Sequence, residues 1–176
     1  MLSGYCYCQS EGKKDTIINQ KHKNAFYVEI IGNALLYSLN YERVIFSKRQ
    51  YNTAVRIGAS YFGFLGNHII CPVEINEYWK KKNHGIELGI GTTVRYSPRD
   101  EEYVVFSSRT IYNHVEIFAT ARVGYRFQLK TGDKTGIIIR VGIMPLMVVY
   151  DNKYKKDIGT FIPPFPVPGL SGGITF

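Results

Sequence analysis

Ten residues decide the fold: Val167-Pro-Gly-Leu-Ser-Gly-Gly-Ile-Thr-Phe176. Large apolar side chains, at Leu170, Ile174 and Phe176, alternate in this segment with small or polar ones, which are Gly169, Ser171, Gly173 and Thr175. Successive side chains of a strand point to opposite faces of a sheet. The alternation therefore predicts a β-strand with one apolar face and one small, polar face.

The same alternation, with charges added, runs from Gly85 to Tyr96. One face carries the even-numbered residues Ile86, Leu88, Ile90, Thr92, Val94 and Tyr96. The opposite face carries the odd-numbered residues Glu87, Gly89, Gly91, Thr93 and Arg95. An apolar face opposite a charged face is typical of a strand that separates lipid from a polar lumen.

The composition allows one domain but no membrane-spanning helix. The chain has 176 residues, 45% of them hydrophobic, and its mean hydropathy is −0.13. The longest nearly uninterrupted apolar stretch, Val141 to Tyr150, contains Pro145 and is about half of the ~20 residues that a spanning helix needs. That stretch is long enough for a tilted spanning strand, and a closed barrel is the other structure that a bilayer accepts. The 14 tyrosines and 10 phenylalanines would suit its interfacial girdles.

The formal net charge of +8 does not predict nucleic-acid binding. The lysines lie in the N-terminal tail, such as Lys13 and Lys14, or in connections, such as Lys80 to Lys82. No basic helix or RNA-binding aromatic motif accompanies them. This distribution is typical of the solvated ends of a membrane barrel near anionic lipid headgroups. We therefore expect no nucleic-acid partner.

Eight candidate strands follow a polar N-terminal segment. Their approximate bounds are Ala25–Gly32, Ala34–Phe46, Thr53–Leu65, His68–Tyr78, Gly85–Ser97, Tyr112–Gln128, Thr135–Tyr150 and Val167–Phe176. We therefore predict a leader over residues 1–24 and one domain over residues 25–176, an all-β, eight-stranded antiparallel up-and-down transmembrane β-barrel. An even strand number keeps both termini on one side of the membrane, here predicted to be the periplasm.

Two interpretations of the leader stay open. Cys6 and Cys8 are small residues at positions −3 and −1 before Gln9, as in front of a signal-peptidase cleavage site. Residues 1–8 are then the remnant of a signal peptide. In the other interpretation the leader is an unstructured tail whose thiols have no role.

If both termini lie in the periplasm, each connection between strands can be assigned to the inner or the outer side of the membrane. Ser47–Asn52, Trp79–His84 and Leu129–Lys134 become inner turns, while Pro98–Ile111 and Asp151–Pro166 become long outer loops. Pro145 removes a ladder donor inside the seventh strand, which predicts a β-bulge there. The predicted aromatic girdles contain Phe26, Tyr41, Tyr125, Phe127 and Phe176 at the inner rim and Tyr61, Tyr96 and Tyr150 at the outer rim.

Ten charged residues fall on the predicted inward faces. An arginine that faces lipid near the midplane costs about 2 to 4 kcal/mol, so these side chains must point inward. The interior of an eight-stranded barrel is just wide enough to fill with side chains, and guanidinium groups bridge carboxylates there. We predict a plugged, ion-paired lumen without an open pore, built from Glu29, Glu42, Arg56, Glu74, Glu87, Arg95, Glu116, Arg122, Arg126 and Arg140.

The residues assign no catalytic, cofactor-binding or metal site. The four histidines, of which His114 is the last, lack ligand spacing and are interpreted as rim or surface residues. A lipid-modifying hydrolase would need His114 beside Ser107 or Ser108 and beside a carboxylate such as Glu116, which keeps an enzyme as an alternative. A soluble lipocalin-type barrel needs an apolar interior, which the ten inward charges contradict.

Five segments resemble the small eight-stranded outer-membrane β-barrel proteins of Bacteroidota. The segments are Leu35-Leu-Tyr-Ser-Leu-Asn-Tyr-Glu-Arg43, Gly85-Ile-Glu-Leu-Gly-Ile-Gly91, Gly124-Tyr-Arg-Phe127, Arg140-Val-Gly-Ile-Met-Pro-Leu146 and Pro168-Gly-Leu-Ser-Gly-Gly-Ile-Thr-Phe176. The resemblance implies insertion by the barrel assembly machinery. That machinery would recognise the final strand through Gly169, Leu170, Gly172, Ile174 and Phe176. Because this family mostly lacks an assigned activity, the resemblance implies no catalytic residues.

These observations lead to one expected function and one alternative. We expect an outer-membrane barrel that acts as a structural or interaction component of the bacterial envelope, for example as an accessory subunit of a larger complex. Its expected partners are outer-membrane lipids and lipopolysaccharide, the assembly machinery during insertion, and other outer-membrane proteins. The alternative is an outer-membrane lipid-modifying enzyme of the acyl hydrolase or transferase type.

Overall fold

The computed structural model describes residues 23–34, 36–63, 67–104, 107–132, 134–152 and 165–176, with backbone alone for 99–112 and 165. The predicted leader, with Cys6 and Cys8, therefore lies outside the described residues except at its last two positions. Most of the loop that was predicted over Asp151–Pro166 also lies outside them. No helix in the described ranges is long and apolar enough to cross a membrane.

The chain forms an up-and-down antiparallel sheet that closes into a barrel in the order β1 to β8. Closure joins β1 to β8, where Asn24 and Phe176 exchange two backbone hydrogen bonds of 2.9 Å each. The predicted all-β barrel of eight antiparallel strands is thereby confirmed. The strands are β1 (Asn24–Ile31), β2 (Tyr37–Lys48), β3 (Tyr51–Phe62), β4 (His68–Lys81), β5 (His84–Val104), β6 (Ser107–Lys130), β7 (Gly136–Asp151) and β8 (Phe165–Thr175).

Burial follows the alternation of the sequence along each strand. Buried and exposed residues alternate strictly along Leu39 to Glu42 of β2 and along Ile69 to Asn76 of β4. Charged and small side chains point into the barrel, and apolar side chains cover its exterior. The interior also holds two small apolar clusters, one of Ala25, Tyr27 and Ile138 and one of Ala34, Phe62 and Ile70.

The predicted loop over Pro98–Ile111 is wrong, because the two strands continue through it. β5 and β6 form six further backbone pairs, from Arg99↔Tyr112 to Val104↔Ser107. The pairs of β4 with β5 end at Tyr96, and those of β7 with β6 end at Glu116, so this two-stranded ribbon extends past the barrel. Residues 98–111 do not alternate regularly between apolar and polar side chains, so their sequence is typical of a loop. We call this end of the barrel the ribbon end and the opposite one the termini end.

The connections at the termini end are tighter than predicted. β2 runs to Lys48 and β3 starts at Tyr51, while β4 runs to Lys81 and β5 starts at His84. Each turn has a residue with positive φ, Arg49 at 53° in the first and Lys82 at 57° in the second. The left-handed conformation reverses the chain within two residues.

The bulge predicted at Pro145 lies instead at Val149. Next to Pro145 the ladder between β6 and β7 lacks two pairs, but its register is the same on both sides. The register shifts further along, since Ile117 pairs with Tyr150 and Phe118 pairs with Val148. The extra residue reverses the facing of every later side chain on β7, because side chains alternate with a period of two. Asp151 consequently points inward, although the odd-numbered residues earlier in β7 point outward.

Candidate functional site

The ten predicted interior charges lie in two groups at different heights. Eight of them are buried to at least 98% and form one network across the middle of the barrel, namely Glu29, Glu42, Arg56, Glu74, Glu87, Arg122, Arg126 and Arg140. The other two, Arg95 and Glu116, lie near the ribbon end and pair with each other. The alternation thus assigned every one of these side chains to the inward face but gave no information on their positions along the barrel axis.

The half of the network nearer the ribbon end is centred on two arginines that share two carboxylates. Arg56 forms ion pairs with Glu29 and, at 2.7 Å, with Glu74. Arg122 lies 2.7 Å from Glu29 and 3.3 Å from Glu74. The amide of Asn40 accepts a further hydrogen bond from Arg56 Nε at 2.9 Å. Each charge therefore has two opposite charges as neighbours, as a buried ionic network requires.

The half nearer the termini end repeats this arrangement with a stronger pair. Arg126 binds Glu42 through two hydrogen bonds of 2.7 Å each, which is the bidentate geometry, and it donates from Nε to Glu87 at 2.9 Å. Arg140 donates from Nε to Glu87 at 3.0 Å and forms a second hydrogen bond to the same carboxylate. Arg122 lies 3.9 Å from Glu87 and links the two halves.

Two buried tyrosines complete this network and were absent from the sequence prediction. The guanidinium carbon of Arg126 lies 4.0 Å from the ring centre of Tyr78, and that of Arg140 lies 4.8 Å from the ring centre of Tyr27. These are cation–π distances. Tyr27 and Tyr78 share the inward parity of Glu29 and Glu74, so the alternation that located the acids could have located them too.

Gly173 allows β8 to lie close to the backbone of β1. At Gly173 an added Cβ would lie 2.5 Å from Tyr27 Cα and would also collide with the carbonyl oxygen of Phe26. Both obstacles belong to the backbone and cannot rotate away. Gly172, the preceding residue of β8, faces outward and has no heavy atom within 4 Å of such a Cβ.

We expect Gly173→Ala to destabilise the barrel by about 1 to 3 kcal/mol, because overpacking forces backbone shifts. The matched control Gly172→Ala adds the same methyl group to open space, so its free energy of unfolding should change by less than about 0.5 kcal/mol. Urea unfolding of the two variants measures both values. Equal stability of the two variants would contradict the packing described for β1 and β8.

A cavity of about 220 Å³ separates the network from the ribbon end. Its polar lining includes Asn33, Thr93, Arg95 and Glu116, and its apolar lining includes Ile70. Within the described residues no hydrogen-bond partner reaches Asn33 Oδ1 or Thr93 Oγ1, although both side chains are buried. A polar cavity of this volume has room for several water molecules, which would satisfy these atoms.

A cluster of His114, Glu116 and Asp151 lies beside this cavity at the ribbon end. His114 Nε2 is 3.0 Å from Asp151 Oδ1 and 3.9 Å from Glu116 Oε1. The other oxygen of Glu116 pairs with Arg95. Sequence reasoning missed this cluster because Asp151 comes from a different strand and faces inward through the bulge at Val149.

The serines of the hydrolase alternative are not brought to His114. Ser107, Ser108 and His114 all belong to β6, and the ladder with β5 pairs all three. At about 3.3 Å per residue, Ser108 lies about 20 Å from His114 along the strand. Glu116 is therefore the member of that predicted set that lies near His114.

The predicted assembly signal lies at the seam of the barrel. Leu170, Ile174 and Phe176 are exposed on the exterior, and Gly172 shares their face. Gly169 points inward, where an added Cβ would collide with the methyl group of Met144. β8 thus presents a continuous apolar strip beside β1.

Comparisons of the chain with protein-family models, with curated proteins and with solved structures give no match. Its function therefore has to be argued from the barrel itself.

Proposed function

We propose that the protein is an outer-membrane barrel of a Gram-negative envelope, with both termini in the periplasm, and that it serves as a structural or interaction component. One observation carries this proposal, which is the distribution of charge across the barrel wall. On β5 to β8 the outward positions from 86 to 96, 115 to 129, 137 to 149 and 166 to 176 hold no Asp, Glu, Lys or Arg. Within the barrel wall, and among the side chains that the structure describes, the outward charges, including Arg43 and Glu77, lie toward the termini end.

The uncharged part of the exterior is also apolar, and no other part of the described chain covers it. Ile90 is 70% exposed, Ile86 is 62% exposed and Val123 is 59% exposed. Soluble monomers rarely expose contiguous apolar patches larger than a few hundred Å². Lipid acyl chains would cover this surface, while the buried ion pairs make the opposite face unsuitable for lipid.

Exposed aromatic side chains border the apolar surface at both ends. Tyr37, Tyr61 and Tyr150 lie toward the ribbon end, and Trp79 and Tyr125 lie toward the termini end. The hydroxyl groups of the first two donate hydrogen bonds, Tyr37 to the carbonyl oxygen of Tyr61 at 2.6 Å and Tyr61 to Asn67 at 3.0 Å. Amphipathic rings of this kind are favoured at the headgroup level of a membrane.

Fractionation of cells that express the full chain tests the location. We expect the protein in the outer-membrane fraction, extractable by detergent and not by high salt, with electrophoretic migration that changes on boiling. A protein that stays soluble without detergent would contradict the proposal. Repeating the fractionation after depletion of the assembly machinery tests that machinery as a partner, since the chain should then stay outside the membrane fraction.

The ribbon of β5 and β6 supports the interaction role. Its six backbone pairs extend beyond the barrel, and residues 99–104 pair with 107–112 and with no other described strand. A strand edge without a neighbour offers unpaired backbone donors and acceptors to another chain. Below the ribbon, the side chains of the ionic network fill the interior of the barrel. The proposed role therefore does not include a passage for solutes.

We expect a photo-cross-linking residue at position 103 or 110 to give a discrete adduct with another envelope protein in intact cells. Position 172, on the lipid-facing side of β8, is the matched control and should give none. Deletion of residues 99–112 should abolish the adduct while the barrel retains its heat-modifiable migration. Absence of an adduct at both ribbon positions would contradict the interaction role and leave the membrane location untouched.

A further inference from the structure

The geometry points to a binding site for a divalent transition metal, with zinc as the ion to test, formed by His114, Glu116 and Asp151 at the ribbon end of the barrel. Each residue offers one ligand atom, and the three atoms lie within 4.8 Å of one another. One imidazole nitrogen and two carboxylate oxygens are ligands that zinc accepts. This inference goes beyond the proposed function and does not depend on the membrane location.

The distances suit a metal ion without a rearrangement of the backbone. Ligand atoms at the corners of a tetrahedral zinc site lie about 3.3 Å apart, as follows from bond lengths of about 2.0 to 2.1 Å. His114 Nε2 is 3.0 Å from Asp151 Oδ1 and 3.9 Å from Glu116 Oε1. Small side-chain rotations would therefore bring all three atoms to coordination distance.

A guanidinium lies beside one of the two carboxylates of the cluster. Arg95 pairs with Glu116 Oε2, whereas Glu116 Oε1 is the oxygen nearer to His114. Arg95 would thus orient the carboxylate from behind, as residues around metal ligands commonly do.

The side chain of Asn152, which is not one of the three proposed ligands, fixes the backbone around the cluster. Asn152 accepts a hydrogen bond from the backbone N–H of Val115 at 3.0 Å and donates one to the carbonyl oxygen of Asn113 at 2.8 Å. It thereby holds both neighbours of His114 against the end of β7. The bulge at Val149 turns Asp151 inward at this same point. Bulges are over-represented beside functional sites, where they re-aim a side chain.

The neighbouring cavity provides the remaining coordination position. Glu116 lines the cavity and belongs to the cluster, and Thr93 lines the cavity from the neighbouring strand β5. In the described part of the chain, Thr93 Oγ1 is buried and has no hydrogen-bond partner. Water in the cavity could hydrogen-bond to this hydroxyl group and also fill the fourth position of a zinc ion.

Zinc titration of the full-length protein in mild detergent, in competition with a chromophoric chelator, tests the inference. We expect one zinc ion per chain. His114→Ala and Asp151→Asn should each weaken binding at least about tenfold, since even residues behind the ligands commonly contribute that much. The matched control is His68→Ala, which removes a histidine at the same end of the barrel whose hydrogen bond goes to Ser97. This variant should bind zinc as the parent chain does.

X-ray absorption at the zinc edge of the unsubstituted protein needs no variant and keeps the inference testable if a variant fails to fold. We expect nitrogen and oxygen neighbours at about 2.0 to 2.1 Å and no sulfur at about 2.3 Å. Sulfur ligands would overturn the inference, since they would assign the zinc to the cysteines. It would likewise be overturned if no stoichiometric zinc were bound, or if zinc bound equally well to the folded His114→Ala variant.

Discussion

Replacement of Glu87 by glutamine should destabilise the barrel by about 3 to 5 kcal/mol, the usual cost of leaving a buried charge without its partner. Glu87 accepts hydrogen bonds from Arg126 and Arg140 and lies 3.9 Å from Arg122. Arg126 would keep its two hydrogen bonds to Glu42, but the carboxylate nearest to Arg140 would then be Glu42, at 3.5 Å. The fully buried guanidinium of Arg140 would carry most of the loss.

Equilibrium unfolding in urea measures this effect, and two further variants show its origin. Glu77→Gln makes the same chemical change on the outward face of β4 and should cost less than about 0.5 kcal/mol. The double variant Glu87→Gln with Arg140→Met removes both charges and should recover part of the lost stability, because the unpaired cation is gone. If Glu87→Gln were as stable as Glu77→Gln, the ionic network would not hold the interior together.

Replacement of Ile90 by arginine should cost about 2 to 4 kcal/mol in lipid vesicles, because in the proposed membrane placement it would put a cation near the bilayer midplane. Ile90 is 70% exposed on the exterior, and it pairs with Ile75 and Ala121 about midway along the barrel wall. A soluble barrel would show the opposite behaviour. An exposed isoleucine changed to arginine in water is close to neutral for stability and improves solubility.

The depth dependence of this effect supplies its control. Ile45 is also largely exposed, at 61%, but it lies at the bulge of β2, close to the turn at the termini end. Ile45→Arg should therefore cost only about 0 to 1 kcal/mol in the same vesicles, because an arginine near the interface reaches water. Reversible unfolding in urea from phosphatidylcholine vesicles gives both values. Equal costs at the two positions would exclude the proposed membrane placement.

Alternation was enough to predict the barrel because its two faces differ so strongly. In β5, for example, Ile86, Leu88 and Ile90 alternate with Glu87 and two glycines. Such a pattern fits only one facing of the strand, because a shift by one residue would move every side chain to the other face. The same signal assigned all ten interior charges to the correct face. Strand pairing then determined their partners, which no single strand reveals: Arg126 and Glu42 are 84 residues apart.

The candidate metal cluster was beyond the reach of this signal. It depends on Val149, the extra residue of the bulge, and the stretch Leu146-Met-Val-Val-Tyr150 is apolar throughout. In a uniformly apolar stretch the sequence does not show at which residue the side chains change from one face of the strand to the other. Asp151 was consequently interpreted as the first residue of a loop, whereas it is the last residue of β7.

The ribbon was missed for a related physical reason. Arg99-Asp-Glu-Glu102 is a run of charges, which on one strand is normally a solvated connection. Backbone pairing with residues 109–112 nevertheless holds them in a strand. The pairing of β5 with β6, which lie side by side in the barrel, therefore outweighed the low strand propensity of these charged residues.

Collision accessibility of nitroxide labels in vesicles tests whether the exposed apolar exterior faces lipid, as proposed. Single cysteines at Ile57, Ile90 and Val123, in a chain with Cys6, Cys8 and Cys71 replaced by serine, would carry the label on three different strands. All three labels should be accessible to oxygen, which concentrates in acyl chains, and should be shielded from a water-soluble nickel chelate. Free access of the nickel chelate to these three positions would contradict a lipid-facing exterior.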